Sequence, residues 1–541
     1  MIRKAIELNS KYLVLSTESI DNLENTYNVD GIQLEFKGKT LSKKEFNAFM
    51  KQYWYYIKER YNLIIVIGTE LFKFMSKVKK AGNYQTERFE YDGVTVIQGH
   101  KLDRLYLEKE KYLYDLSLNN INRYFNKQDP VRIWEFIDQK KVNIKEKINN
   151  EYEFTKLLND IKSKNIVIDL ETLGVRAENA KIYSISITEV ENKNTITFLY
   201  EPWMKIQLKE FLKGKHIIFH NALFDLKILI TNLFMYDHRD LYGMRDGIIW
   251  LKENITIDDT MIMVYNVTNN TQGNELGLKF NALKWTGNYA IDVKDIAKAI
   301  DSSSVTPKEI LEYNAIDTLA TALLYEEYKK KIKEVEMIYT KNIESIYYLI
   351  ELMIVGLPLS EKKLDRARME LEDARKNVLF KILNYVGDFD FNVSSSKQLS
   401  NFIYNQLGLP VVELTKSKQP STSGDTLKLL AERHTDDKDI KEFLTNVKDF
   451  KDIEKILTGF IEPFETYYFR RGETAWLTGN HVLGGTVSGR LSSKEPNLAN
   501  LPSNSKYGKL IKSIFQAPEG WLFCGSDFSA LNISGVLNRN I

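Results

Sequence analysis

The spacing of apolar and polar residues changes several times along this chain, and each change marks an element. Residues 63–68 (LIIVIG) are an unbroken apolar run, which predicts a strand buried on both faces. The stretch LFKFMSKVKKAG that follows has helical spacing and is predicted to end at Gly82. Residues 93–97 (GVTVI) predict another strand, closed by a turn at Gly99 and His100, so His100 reads as a turn or surface histidine. From residue 165 the pattern sharpens. NIVIDL is an apolar strand ending in charge, and residues 183–190 and 195–200 alternate as antiparallel strands do, with the polar turn ENKN between them. A short helix, the strand HIIF (216–219) and a helix from Asn221 follow.

The second half is mostly helical in period. Residues 334–356 read as one long helix leading into GLPLSEKKL, and residues 440–470 as another helical stretch. The most apolar segment, IYYLIELMIVGL at 346–357, is about half a membrane span and contains Glu351, so it predicts a buried helix and no membrane association. Residues 521–524 (WLFC) predict a buried strand that carries Asp527 at its end and hides Cys524 in the core.

Composition narrows the class. At 541 residues and 63.0 kDa the chain needs about three domains. A hydrophobic content of 43% with 27% charged residues fits a folded soluble protein. The net charge of +2 gives only a weak overall field, so nucleic-acid binding would need local basic surfaces. Cys524 is the single cysteine, which rules out an intrachain disulfide and suits a reducing cytoplasm. The N-terminus MIRKAIELNSKYL lacks the apolar core of a signal peptide.

Candidate chemistry begins with carboxylates. Asp169 and Glu171 are two apart at a strand end and project to one side. Asp225 lies in HNALFD, where strand gives way to helix. Tyr313 and Asp317 are four apart, on one face of a helix that Thr306, Pro307 and Glu309 would start as a capping box. In order and spacing these residues resemble the D-x-E, N-x-x-x-D and Y-x-x-x-D motifs of DEDDy 3′–5′ proofreading exonucleases. Asp259 and Thr260, in IDDTMIMVYN, are similar to a further helix of that family. The resemblance implies a ribonuclease H-like domain in which Asp169, Glu171, Asp225 and Asp317 hold two Mg²⁺ or Mn²⁺ ions. Tyr313 would orient the attacking water, Asn221 and Phe224 would shape the site, and Leu173 would wedge the terminal base. In-line phosphodiester cleavage calls for such a pair of hard ions, and no dense His/Cys cluster competes for them.

Residues 481–502, HVLGGTVSGRLSSKEPNLANLP, followed by SDFSAL, resemble the signature of family A DNA polymerases of bacteriophage type. FNVSSSKQL, LGLP and KSKQPST precede them in that family's thumb order, with residues 394–396 capping a helix. The likeness implies DNA contacts: Lys397 on a phosphate, Arg490 against the primer terminus, Asn497 and Asn500 on the template strand, and Asp527 on the polymerase metals. After Leu531 the match is lost. Asn532 stands where the family has a glutamate, and the fingers helix and second carboxylate motif are missing. The expected organisation is an α/β chain in three parts: an N-terminal α/β domain of unassigned role at 1–150, a ribonuclease H-like exonuclease at 151–335, and a partial polymerase domain at 336–541 comprising thumb and first palm segment. The expected function is the N-terminal portion of a replicative DNA polymerase that degrades single-stranded 3′ ends and binds primer-template, taking dNTPs only when completed. The alternatives are a subunit completed in trans by a separately encoded C-terminal half, and a stand-alone nuclease of the ribonuclease D type.

Overall fold

The apolar run at 63–67 forms β4 (Leu63–Ile67), and it is continuous because both of its faces are covered. Ile64 and Val66 join Leu13, Phe46, Phe49 and Phe72 in one cluster, while Leu63, Ile65 and Ile67 join Val14, Ile97 and Ile121 in another. The structure, a computed structural model, describes residues 2–525 except 24, 39, 79–81, 104, 107, 131–140, 175, 177–179, 270–274, 289–304, 416–417 and 503–506. It divides into two compact units, residues 1–346 and 347–541.

In the first unit, β1 (Ile2–Ile6), β2 (Tyr12–Ser16), β3 (Asp30–Leu34), β4, β5 (Phe89–Tyr91) and β6 (Val94–Gln98) form a sheet in the order β1-β3-β2-β4-β6-β5. Its four central strands are parallel and both edge strands antiparallel. The helix after β4 is shorter than its spacing predicts. It runs Thr69–Ser76 and stops because Lys77 turns left-handed, with φ +63°, and returns its N–H to the Lys73 carbonyl. His100 is half-buried and not on the surface, because its Nε2 pairs with Glu110 at 2.5 Å.

The same unit holds a second sheet: β7 (Val142–Lys145), β8 (Asn165–Leu173), β9 (Lys181–Glu189), β10 (Thr195–Leu199), β11 (His216–Phe219) and β12 (Thr256–Asp259), in the order β12-β11-β8-β9-β10-β7. β8, β9 and β10 are an antiparallel meander, and β11 returns parallel to β8, in the strand and helix order read from the sequence. The Pro307–Lys331 helix lies across this sheet. Its start is the predicted capping box: Thr306 accepts from the Glu309 N–H, and the Glu309 carboxylate accepts from the Thr306 N–H at 2.7 Å, a cap worth about 1 kcal/mol.

The helix Glu336–Val355 runs across the boundary between the units and ends at Gly356, whose φ of +73° and close approach to the Leu477 carbonyl leave no room for a Cβ. It is not buried all round, since Tyr348 and Leu352 are 64% and 56% exposed. No helix among the described residues is long and apolar enough to cross a membrane. β13 (Leu357–Leu359), β14 (Tyr468–Arg471) and β15 (Thr474–Leu477) pair in the order β13-β15-β14. The helices Glu361–Val386 and Lys438–Ile456 share two apolar clusters, one built on Leu364, Leu371, Ile453 and Phe464, the other on Ile382, Leu399, Phe443 and Val447. Residues 521–525 are not the predicted buried strand. Trp521, Leu522, Phe523 and Cys524 are exposed, because among the described residues no strand pairs with them.

Candidate metal centre

β8 is buried on one side and half-buried on the other at its C-terminal end. Asp169, Glu171 and Leu173 occupy the half-buried face, while Leu170 and Thr172 point into the core. Register explains what they meet. Asp169 lies opposite Ser186 of β9, and the Ser186 hydroxyl bonds Thr318 Oγ1 at 2.8 Å, as does Thr188 on the same strand. Those two bonds dock the Pro307–Lys331 helix on the sheet with Asp317 directly beside the Asp169 strand. The carboxylates of Asp169, Glu171 and Asp317 accordingly come within 4.8 Å of one another. Tyr313 sits one turn earlier on the same helix.

Asp225 reaches the site from the Ala222–Leu233 helix and is turned differently. Its Oδ1 accepts from the Leu170 N–H at 3.2 Å, so this carboxylate is anchored on the β8 backbone and stands beside the three-acid cluster, outside the 4.8 Å set. Asn221 begins that helix in the left-handed region with φ +80°, a conformation asparagine tolerates. Asp259 holds this corner together. It is buried, accepts from the N–H groups of Asn221 and Ala222 and also from those of Met261 and Ile262, and so caps two helices at once. Its own carboxyl is pushed up to about 6 by burial, against those four N–H groups. His220 is half-buried with its Nδ1 on Thr260 Oγ1 at 2.9 Å, and loss of solvent around the ring pushes it down to about 4, so the ring is neutral. Phe224 and Leu173 are half-buried at the rim.

The acids oppose each other's ionisation. Burial, then the charge of Asp317, pushes Asp169 up to about 8, with Lys279 pulling the other way. Glu171 lies well above the usual carboxylate range through burial and the charge of Asp169. Asp225 is raised by burial and by Asp169. The Tyr313 hydroxyl is held above its usual range by burial, then by Asp317, Glu171 and Asp169. Crowded oxygen ligands whose charges are unfavourable to one another fit a hard divalent cation, which would take all of them in the ionised form.

Two contributions go beyond the motifs of the sequence. Asp259 belongs to the IDDTMIMVYN match, but its double cap depends on β12 lying beside β11. Lys279, the second residue of the Leu278–Thr286 helix, donates through Nζ to the Tyr313 hydroxyl. The available signal was its position: a cation in the first helical turn opposes the helix dipole.

In the second unit Arg490, Asn497 and Asn500 lie on one short segment built around β16 (Asn480–Val482) and β17 (Ser492–Lys494). Arg490 is exposed, and its carbonyl accepts from Thr486 Oγ1. Asn497 Oδ1 accepts from Ser493 Oγ at 3.1 Å and from Asn500 Nδ2 at 3.2 Å. Lys397 is exposed on the Ser396–Asn401 helix, which Ser395 caps, and that helix packs on the other apolar cluster of the unit. Asp527 lies outside the described residues.

Comparison with known proteins places two domains on this frame. Residues 145–333 match the 3′–5′ exonuclease family, and residues 361–534 match DNA polymerase family A. DNA polymerase I of Borreliella burgdorferi is 24% identical over 503 residues, covering 88% of this chain and 51% of that protein. DNA polymerase I of Bacillus subtilis is 32% identical over 184 residues, 34% of this chain and 20% of that protein. The chain thus spans about half, or less, of the length of these relatives. The fold resembles that of the POL domain of Pol1 from M. smegmatis, solved in complex with DNA primer-template and dNTP, with a TM-score of 0.50 and 18% identity over 70% of this chain and 59% of that one.

Proposed function

We propose that this chain, which carries a 3′–5′ exonuclease domain ahead of a family A DNA polymerase domain, removes nucleotides from the 3′ end of single-stranded DNA at the Asp169–Glu171–Asp317 cluster, using two Mg²⁺ or Mn²⁺ ions. One observation supports it above all. Three carboxylates from a strand and from a helix more than a hundred residues away share a space 4.8 Å across, with a tyrosine hydroxyl beside them.

Asp169, Glu171 and Asp317 would hold one ion, and Asp225, anchored on Leu170 and within the field of Asp169, would complete the set for a second. Ions bound there would make a water nucleophilic and stabilise the leaving 3′ oxygen. Tyr313 would orient that water. Its raised proton affinity keeps the phenol intact as a hydrogen-bond donor at neutral pH. Asn221 and Phe224, both at the start of the Ala222–Leu233 helix, and Leu173, at the edge of the carboxylate face of β8, would seat the terminal nucleotide. In the second unit Arg490 would lie against the primer terminus in the minor groove, Asn497 and Asn500 on the template strand and Lys397 on a backbone phosphate, with Asp527 holding the polymerase metals in a completed enzyme.

The test is a 5′-labelled single-stranded oligonucleotide incubated with the protein and Mg²⁺. The expected product is a ladder shortened one nucleotide at a time from the 3′ end and arrested by EDTA. Release of label as mononucleotide at the outset, or digestion indifferent to EDTA, would overturn the assignment.

A further inference from the structure

Lys279 has no place in the reaction described above, yet its ammonium lies in the middle of it. It is the second residue of the Leu278–Thr286 helix, where its charge works against the helix dipole. Its Nζ donates to the Tyr313 hydroxyl and lies 4.5 Å from the centre of that ring. Its charge also acts on both Asp169 and Glu171. The helix that carries it is pinned beside the Pro307–Lys331 helix by a second tie, Lys284 to Glu327 at 2.5 Å. Lys279 and Tyr313 are thereby held in register from both sides.

We propose that Lys279 is a positioning residue for 3′-end removal, acting through Tyr313. A hydroxyl oxygen that accepts from Lys279 has its orientation fixed, and its remaining proton is directed to the acid side, where Tyr313 shares a hydrogen bond with Asp317. Without the lysine one of the two bonds that fix the hydroxyl is lost, and the oxygen lone pair that faces the water loses its aim. A second effect has the opposite sign. The ammonium is a positive charge beside a cation site, so removing it favours divalent ion binding even as it spoils the geometry. That pairing of slower cleavage with undiminished ion binding separates positioning from simple damage to the pocket.

This inference rests on the exonuclease reading. Its test compares the full chain with Lys279→Met, Lys279→Arg, Tyr313→Phe and the double variant Lys279→Met with Tyr313→Phe. Nucleotide removal from labelled single-stranded DNA is measured with Mn²⁺, and Mn²⁺ affinity is measured separately from the electron paramagnetic resonance of the free ion. Lys279→Met is expected to lower kcat by about 10- to 100-fold with KM changed by less than about twofold. Lys279→Arg is expected to recover most of the loss, and the double variant to be no slower than the slower single variant. Mn²⁺ is expected to bind Lys279→Met as tightly as the parent or more tightly. A kcat close to the parent's, losses that multiply in the double variant, or Mn²⁺ binding weakened along with kcat would each overturn the proposal. A parent chain that removes no nucleotides would instead remove the exonuclease reading itself, and with it this role for Lys279.

Discussion

Replacing Asp169 and Glu171 together by alanine is expected to slow 3′-end removal by about a thousandfold or more, measured on labelled single-stranded DNA in saturating Mg²⁺. The size follows from what is removed. Two of the three acids within 4.8 Å come from β8, so the variant keeps Asp317 as the single member of that cluster. The same variant is expected to be as stable as the parent in metal-free buffer, or more stable, by thermal unfolding. Both side chains are pushed toward their protonated forms by burial and by neighbouring acids, so in the absence of a cation they work against the fold. Loss of activity with retained stability distinguishes removal of the chemistry from collapse of the domain. Digestion that persists in this variant would place the nuclease elsewhere.

The second large effect is the dependence of stability on pH, and its reversal by metal. Asp169 rises from its ordinary 3.8 to about 8 on folding, so between those values the folded chain holds a proton that the unfolded chain has lost. Stability contributed by this group is therefore full below about pH 4 and falls as pH rises through 8. Asp259, raised to about 6, adds a decline confined to the lower part of that window. The melting temperature of the metal-free protein is expected to drop by several degrees between pH 6 and pH 8, where Asp169 and not Asp259 is titrating. Saturating Mn²⁺ is expected to remove most of that slope, because the ion binds the ionised acids and displaces their protons. Proton release on Mn²⁺ addition, followed in weakly buffered solution near pH 7, checks the same linkage. A pH slope unchanged by Mn²⁺ would mean that the ion is held elsewhere.

Much of this architecture was legible in the sequence because its signals are local. Thr306, Pro307 and Glu309 encode a helix start that no tertiary contact has to supply. NIVIDL and HIIF declare buried strands by lack of alternation, and D-x-E at a strand end fixes two acids on one face. What escaped was set by partners distant in sequence. Lys77 ends a helix whose apolar spacing runs on, since the left-handed turn satisfies the last carbonyls better than another turn would. Residues 521–524 carry a strand's composition, but a strand forms only beside a neighbour. Asp225 also bonds the Leu170 N–H, a tie between residues 55 apart in the chain that no motif spacing encodes. Asp259 was legible as part of the IDDTMIMVYN match, but its bond to the Ala222 N–H, like that of Lys279 to Tyr313, runs between elements whose pairing no spacing along the chain encodes.

The central claim is that the acids of β8 and of the Pro307–Lys331 helix form one cation site that receives a DNA 3′ end. Anomalous diffraction at the manganese edge, from crystals of the Tyr313→Phe variant grown with Mn²⁺ and a short oligothymidylate, tests it most directly. The expected result is a peak about 2.1 Å from oxygens of Asp169, Glu171 and Asp317, with the 3′-terminal nucleotide against it. Manganese bound away from these three side chains, or an oligonucleotide whose 3′ end lies outside the pocket, would contradict the account.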